Sequence, residues 1–275
     1  MKLYWPVGLT LEMPGRTGYG PQLERLLTEY AQQIVSPGTQ VTIGWMEKTS
    51  SLLSSHFLGM LNDVWVTRDI LHAQEAGYDG AIIGPHWDPG LYAAREAATI
   101  PVAGPLESSI MLAQTLGRRF AVLTVHEGYV PMIERSLRIY GAESRAITRR
   151  PVRRFGMTYE NIVEALEGRS DDFLRAFTQT SLECIEDGAD VIIAGGQLFG
   201  PVFQKHGYFS VADTGVPVVE VSACGLKVLE SLVSLRRTAR LRKSEHVNAP
   251  FRTPPAADVA RALRDFDMDH RSQYV

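Results

Sequence analysis

Along the chain, short continuous apolar runs alternate with longer stretches in which apolar residues recur at helical spacing. Leu3 to Leu11 and Gln40 to Trp45 read as strands. Between them Leu23, Leu26, Leu27, Tyr30, Ala31 and Ile34 mark one face of a helix closed by Gly38. A second helical pattern runs through Ile70 to Ala76, Gly80 to Gly84 reads as a buried strand, and helices follow at Leu91 to Ala98 and from Leu106 to Leu116. The register then restarts. Phe120 to Val125 predicts a strand, Val130 to Tyr140 a helix, Ala142 to Ile147 a short strand, and Thr158 to Leu166 and Asp171 to Gly188 helices. Strands at Val191 to Ala194 and Val216 to Val221 and a helix from Ser222 to Leu235 complete the pattern. Such alternation predicts an α/β fold of βαβ units, with largely parallel sheets flanked by helices.

The run Gly77 to His86 has an echo in Gly188 to Gln197, with Gly77 over Gly188, Asp79 over Asp190 and Gly84 over Gly195 at a constant offset of 111 residues. Two related half-domains are therefore expected, residues 1–117 plus 222–245 forming the first and 118–221 the second, with a cleft between them. Beyond Arg236 the chain turns basic and then Pro-rich from Pro250 to Pro255. Residues 246–275 are poor core material and read as a C-terminal arm or an oligomer contact.

In parallel α/β sheets ligands gather beyond the carboxyl ends of the strands. That rule selects the loops at Thr10 to Glu12, Glu47 to Ser51, Pro85 to Asp88, Glu107 to Ser109, Thr124 to Glu127, Gly195 to Leu198 and Glu220 to Cys224. Helix N-termini near Ser108, Ser109 and Gly196 would offer N–H groups to a carboxylate or an enolate-like oxygen, so the expected partner is a small molecule bearing a carbonyl or carboxylate. Neither a Gly-x-x-x-x-Gly-Lys-Ser/Thr loop nor a Gly-x-Gly-x-x-Gly turn after a strand is present, which weakens nucleotide readings.

With 275 residues, 45% hydrophobic, the chain can bury a sizeable core, and a net charge of -3 gives no reason to expect nucleic acid or an anionic membrane as partner. The basic run Arg145, Arg149, Arg150, Arg153 and Arg154 reads as a solvated surface between elements. Cys184 and Cys224 fall in helical contexts and imply no disulfide framework. The N-terminus is too short and aromatic for a signal peptide, and no apolar run approaches the ~20 residues a membrane span needs. A cytoplasmic homo-oligomer is expected.

Several spaced motifs, in order, resemble the aspartate/glutamate/hydantoin racemase superfamily, most closely its hydantoin racemase branch. They are Asp79 to Leu91 with Ala93 to Glu96, Glu107 to Met111, Leu116 to Thr124, Gly188 to Gly196, and Gly215 to Ala223 with Lys227 to Val233. The resemblance implies two pseudo-symmetric α/β domains with the active site between them and no organic cofactor. It also implies two cysteines, one thiolate removing the proton α to a carbonyl and the other thiol returning one from the opposite face. This chain departs from that pattern, for the first cysteine position falls on Pro85 and the second on Gly196. Cys184 precedes its strand, and Cys224 follows Val221 in the last helix, so neither substitutes by position.

His86, one residue past the lost thiol at a strand end, is the first candidate general base, an imidazole with pKa near neutrality being suited to the task. A histidine merely hydrogen-bonded in a loop is the competing account. His126 and Glu127 follow the next strand and are the other catalytic candidates. Glu12, Thr49, Pro85, Trp87, Ser108, Ser109, Thr124, Gly196 and Gln197 are the expected substrate-binding set, with N-capping as the alternative for the serines. Asp88 could orient His86 or act as an N-cap beside Pro89. Lys205 to Tyr208 reads as a loop able to act as a lid. Without a His-Glu-x-x-His motif, convergence of His86, Asp88 and His126 on a metal is a weak reading, and none is assigned. Three functions stay open: proton transfer α to a carbonyl of a carboxylate, amide or cyclic ureide; hydrolysis or lyase chemistry on a similar molecule; or binding without catalysis.

Overall fold

The computed structural model describes residues 1–11, 19–49 and 55–269. β1 (Lys2–Pro6), β2 (Gln40–Gly44), β3 (Gly80–Ile82) and β4 (Val102–Ala103) form one parallel sheet in the order β2-β1-β3-β4. β5 (Phe120–Thr124), β6 (Val152–Arg154), β7 (Val191–Ala194) and β8 (Val218–Glu220) form a second in the order β6-β5-β7-β8, again parallel throughout. The two orders are the same once each strand is matched to its counterpart, which is the internal echo made physical. Parallel strands need helical crossovers that cover both faces. That is why the central runs Gly80–Ile82, Phe120–Thr124 and Val191–Ala194 are buried at every position.

The crossovers are α1 (Tyr19–Ile34), α2 (His56–Glu75) and α3 (Leu91–Ala97) in the first half, and α5 (Tyr129–Ile139), α6 (Tyr159–Leu166), α7 (Asp171–Glu186) and α8 (Phe199–His206) in the second. Two further helices change sides. α4 (Pro105–Leu116) leaves the first sheet and packs Leu106, Ile110 and Ala113 with Phe120, Val122, Val191, Ile193 and Val219 of the second. α9 (Val221–Thr238) leaves the second sheet and packs on β3 and β4 through Leu226, Leu229 and Val233. Sequence order assigns α4 to the first half; its apolar face instead finds the uncovered face of the second sheet. α9 lies on the first sheet.

Other departures have local causes. The expected first strand ends at Pro6, since the chain turns at Gly8 with φ +50°. Ala142 to Ile147 is not a strand: it holds a 3-10 turn at Glu143–Arg145 and a single bridge from Ala146 to Phe120. The edge of β5 is taken by Val152–Arg154, with Val122 opposite Val152. Within the basic run Arg153 is buried and paired with Asp187 rather than solvated, and its guanidinium donates to the carbonyls of Arg149 and Arg150. Lys205 and His206 close α8 instead of forming a lid. His206 Nε2 lies 2.7 Å from Ser170 Oγ, and the Tyr208 ring stacks on Phe203. The C-terminal arm packs on the first half: α10 (Ala256–Asp265) sets Val259 and Leu263 against the Tyr4, Val66 and Ile70 cluster, and the Met268 carbonyl accepts from Arg68 Nε. No helix among the described residues is long and apolar enough to cross a membrane.

Candidate active site

The loops leaving β1, β3, β5 and β7 meet in a crevice between the two sheets. They enclose a largely apolar cavity of about 60 Å³, lined by Gly8 and Leu9, Pro85 to Trp87, Val125 and Tyr129, Tyr159 and Ile162, and Gly196 to Phe199. Pro85 and Gly196, the two positions at which the resemblance implies thiols, both line it. Pro85 packs against the turn after β1: a Cβ added at Gly8 would lie 2.5 Å from Pro85 Cγ, so only glycine admits the proline there. At Gly196 the Phe199 ring fills the corresponding space, since an added Cβ would meet its Cζ at 2.3 Å. Phe199 in turn belongs to an edge-to-face cluster with Phe155, Phe173 and Phe203.

His86 sits between the halves with 5% of its surface exposed. Its Nε2 lies 3.3 Å from Thr124 Oγ1 at the end of β5, a hydrogen bond whose donor is set by the histidine tautomer. The imidazole stands perpendicular to Trp87 and Tyr129 at ring-centroid distances of 5.1 and 4.9 Å, and these two rings stack on each other at 4.8 Å. Burial without a nearby anion disfavours the imidazolium and lowers the His86 pKa to about 3, so the ring is neutral at physiological pH. Burial likewise pushes the Tyr129 hydroxyl up to about 12, keeping it protonated. Gln197 Nε2 donates to the Val7 carbonyl at 3.3 Å, while its buried Oε1 has no partner. This unpartnered acceptor on the cavity wall would suit the N–H of a bound amide.

The structure gathers His86, Pro85, Trp87, Gly196 and Gln197 on the cavity, with Thr124 directly behind His86. It places the other expected residues elsewhere. His126 and Glu127 are exposed, and His126 Nδ1 accepts from the Gly128 N–H within its own turn. Ser108 and Ser109 are buried in α4 off the cavity, and Ser109 Oγ donates back to the Pro105 carbonyl. Thr49 lies next to the site, its hydroxyl donating to the carbonyl of Gly8 at 3.2 Å. Glu12 lies outside the described residues. Asp88 does not touch His86; it caps α4, accepting from the N–H groups of Leu106 and Glu107 at 2.9 and 2.8 Å. Its carboxylate thus satisfies the first N–H groups of α4, a helix that starts seventeen residues on with Gly104 at its N-cap position, rather than those of the neighbouring α3, whose N-cap is Gly90. Both thiols are held protonated by burial, Cys184 pushed up to about 11 and Cys224 to about 12, and neither lines the cavity. Among the described residues no three His, Cys, Asp or Glu side chains gather as a metal site.

Tyr129, Tyr159, Ile162 and Phe199 line the cavity without having been singled out in the sequence. Tyr129 and Phe199 open α5 and α8, the helices that follow the two second-half site loops, and only the strand-to-helix order could have pointed to them.

The profile of the Asp/Glu/hydantoin racemase family matches residues 22–229. A hydantoin racemase of Pseudomonas sp. (strain NS671) is 30% identical over 240 residues, covering 86% of this chain and 88% of that protein. Among solved structures, the allantoin racemases of Klebsiella pneumoniae and Pseudomonas fluorescens share the fold. Their TM-scores are 0.74 and 0.73, at 22% and 24% identity, with 93% and 92% of this chain and 94% and 97% of theirs covered. The chain is an enzyme of the racemase/isomerase superfamily acting on a small molecule, and it belongs to the Asp/Glu/hydantoin racemase family.

Proposed function

We propose that this enzyme moves a proton at the carbon α to a carbonyl of a small neutral amide or cyclic ureide, with His86 in place of the missing thiols. The observation that carries this reading is a neutral, buried imidazole at the strand end beside Pro85, held by Thr124 and flanked by Trp87 and Tyr129. A neutral imidazole carries one donor and one acceptor nitrogen. With Nε2 engaged by Thr124, Nδ1 serves the ligand. Burial alone denies the ring a proton, but an enolate oxygen forming beside it would supply the opposite charge that favours the imidazolium. Proton uptake is thereby tied to the step in which charge develops.

The substrate class follows from the wall. Among the described residues the cavity lining includes no lysine or arginine, so it offers little to a carboxylate, whereas the Gln197 amide and the apolar rings suit a neutral planar ligand. The hydantoin racemase relative agrees with a cyclic ureide. A cytoplasmic location, supported by the unpaired Cys184 and Cys224, belongs to the same proposal. So does a homo-oligomer, supported by Phe57, Met60, Leu61 and Val64, exposed at helical spacing on α2.

Deuterium uptake from solvent, followed by NMR over single enantiomers of 5-substituted hydantoins, simple amides and amino acids, tests the reading. Uptake on the ureides is expected, with a loss of about 10² to 10⁴ on His86→Ala. Absence of uptake on every compound, or uptake indifferent to His86→Ala, overturns it. A second reading draws on the same one-sided site. A base on a single face suits a lyase that cleaves a bond and then protonates the carbanion, and mass analysis of the products separates this from exchange alone.

A further inference from the structure

The loops on the cavity are not held by their own halves alone. Trp87 and Asp88, directly after His86, are both gripped by α5 of the second half: Ser136 Oγ donates to the Trp87 carbonyl at 3.2 Å, and Tyr140, one turn on, donates its hydroxyl to Asp88 Oδ2 at 2.7 Å. Asp88 is buried at φ +59° while it caps α4, and Gly104 is required beside it, because a Cβ there would lie 2.6 Å from Oδ2.

The other half repeats the arrangement with different chain positions. Glu220 caps α9, accepting from the N–H groups of Ser222 and Ala223 at 2.9 and 2.8 Å, and receives the hydroxyl of Tyr30 from α1 of the first half. Ser222 Oγ in turn donates to the carbonyl of Gln197 at 3.2 Å. The Tyr30 ring lies against Gly200, where a Cβ would come within 2.4 Å of its Cζ.

In each half, then, a carboxyl, buried at Asp88 and half-buried at Glu220, caps the helix that crosses to the opposite sheet, and a tyrosine from the helix after the other half's first strand donates to it. We propose that Tyr140–Asp88 and Tyr30–Glu220 are reciprocal latches, and that these four are positioning residues. The first pair fixes the loop bearing His86; the second fixes the loop bearing Gln197. Neither tyrosine lines the cavity, so each acts through the carboxyl it bonds. Two crossed latches make the geometry of each loop depend on the seating of the opposite half, and a site assembled from both halves requires that dependence.

The test compares Tyr140→Phe with Tyr30→Phe, each removing one hydroxyl and little volume. The measured quantities are the imidazole ¹⁵N resonances of His86 and the side-chain amide resonances of Gln197. Tyr140→Phe is expected to shift His86 and leave Gln197 near its wild-type position; Tyr30→Phe is expected to do the reverse. Where wild-type protein exchanges hydantoin deuterium, each variant should also lose roughly ten- to a hundredfold in turnover. That turnover measurement rests on the function proposed above, while the resonances do not. A wild type without exchange defeats that function and leaves the latches to be judged by NMR. Should either phenylalanine variant fail to fold, Ser136→Ala and Ser222→Ala cut the same loops free at Trp87 and Gln197 and should shift the same two sets. Resonances unmoved in all folded variants, or moved together in every one, would overturn the latches.

Discussion

The ends of β3 and β7 occupy equivalent places in the two halves, and they have been filled in opposite ways. After β3 comes Pro85, seated on the turn at Gly8, and then the polar, titratable His86 with Thr124 behind it. After β7 comes Gly196, whose space is taken by the ring of Phe199, and then Gln197, which cannot titrate. The two strand ends thus present a titratable imidazole in one half and, in the other, a phenyl ring beside an amide that cannot titrate. The lesson is that duplication preserves the frame, namely strand order and crossing helices, while the chemistry at each strand end is free to diverge. With the proposed base on one face only, loss of deuterium label is expected to outpace loss of chirality.

The largest expected effect of breaking this contrast is on the apolar side. Phe199→Ala removes a ring packed with Phe155, Phe173 and Phe203 and should lower stability by about 3–5 kcal/mol, measured by urea denaturation. A loss below about 1 kcal/mol would mean that the ring merely occupies Gly196's space and does not hold the second half together.

Next in size is the vacancy itself. Gly196→Ala places a methyl within 2.3 Å of the Phe199 ring and should cost about 1–3 kcal/mol by overpacking. In a Phe199→Leu background most of that cost should vanish, because the two sites share one space. If denaturation shows the two changes to be additive, something other than the ring bars a side chain at 196.

Much of this contrast was legible in the sequence. The 111-residue echo located both strand ends, and the residues at the thiol positions could be read directly. What escaped was what lies across from them. Phe199 fills Gly196's space from three residues on, at the start of a helix hidden by the apparent turn chemistry of Gly195 to Leu198. Asp88 caps α4, a contact between strand ends that no local spacing encodes. The expected strand at Ala142 to Ile147 failed similarly: its apolar residues are buried, but the edge of β5 is claimed by Val152–Arg154, where Arg153 finds Asp187. Ser108 and Ser109 looked like ligand-binding helix N-terminal residues, yet the side change of α4 turns them into its packed interior.

The smallest effect lies on the polar side and concerns the single bond that holds His86. Thr124→Val keeps the shape and removes the hydroxyl, so His86 Nε2 loses its partner at a net cost of about 1 kcal/mol. The pH dependence shows whether the ring is neutral, as the proposed chemistry requires. The folded pKa of His86 lies below its unfolded value of 6.5, at about 3. Between those values the unfolded chain binds a proton that the folded protein does not, so the His86 contribution to stability is complete above pH 6.5 and is lost as pH falls toward 3. Asp69 and Asp88, raised by burial to about 7, act in the opposite sense: their contribution is present near pH 4 and lost as pH rises through 7. The His86 share is therefore read as the difference between wild type and His86→Leu in unfolding free energy measured from pH 4 to 8. That difference should shrink on the acid side and stay flat above pH 6.5, with the imidazole ¹⁵N shifts of His86 constant from pH 5 to 8. A His86 that titrates near 6.5 would place the ring in contact with water or an anion, and the two strand ends would then differ in residue type without differing in environment.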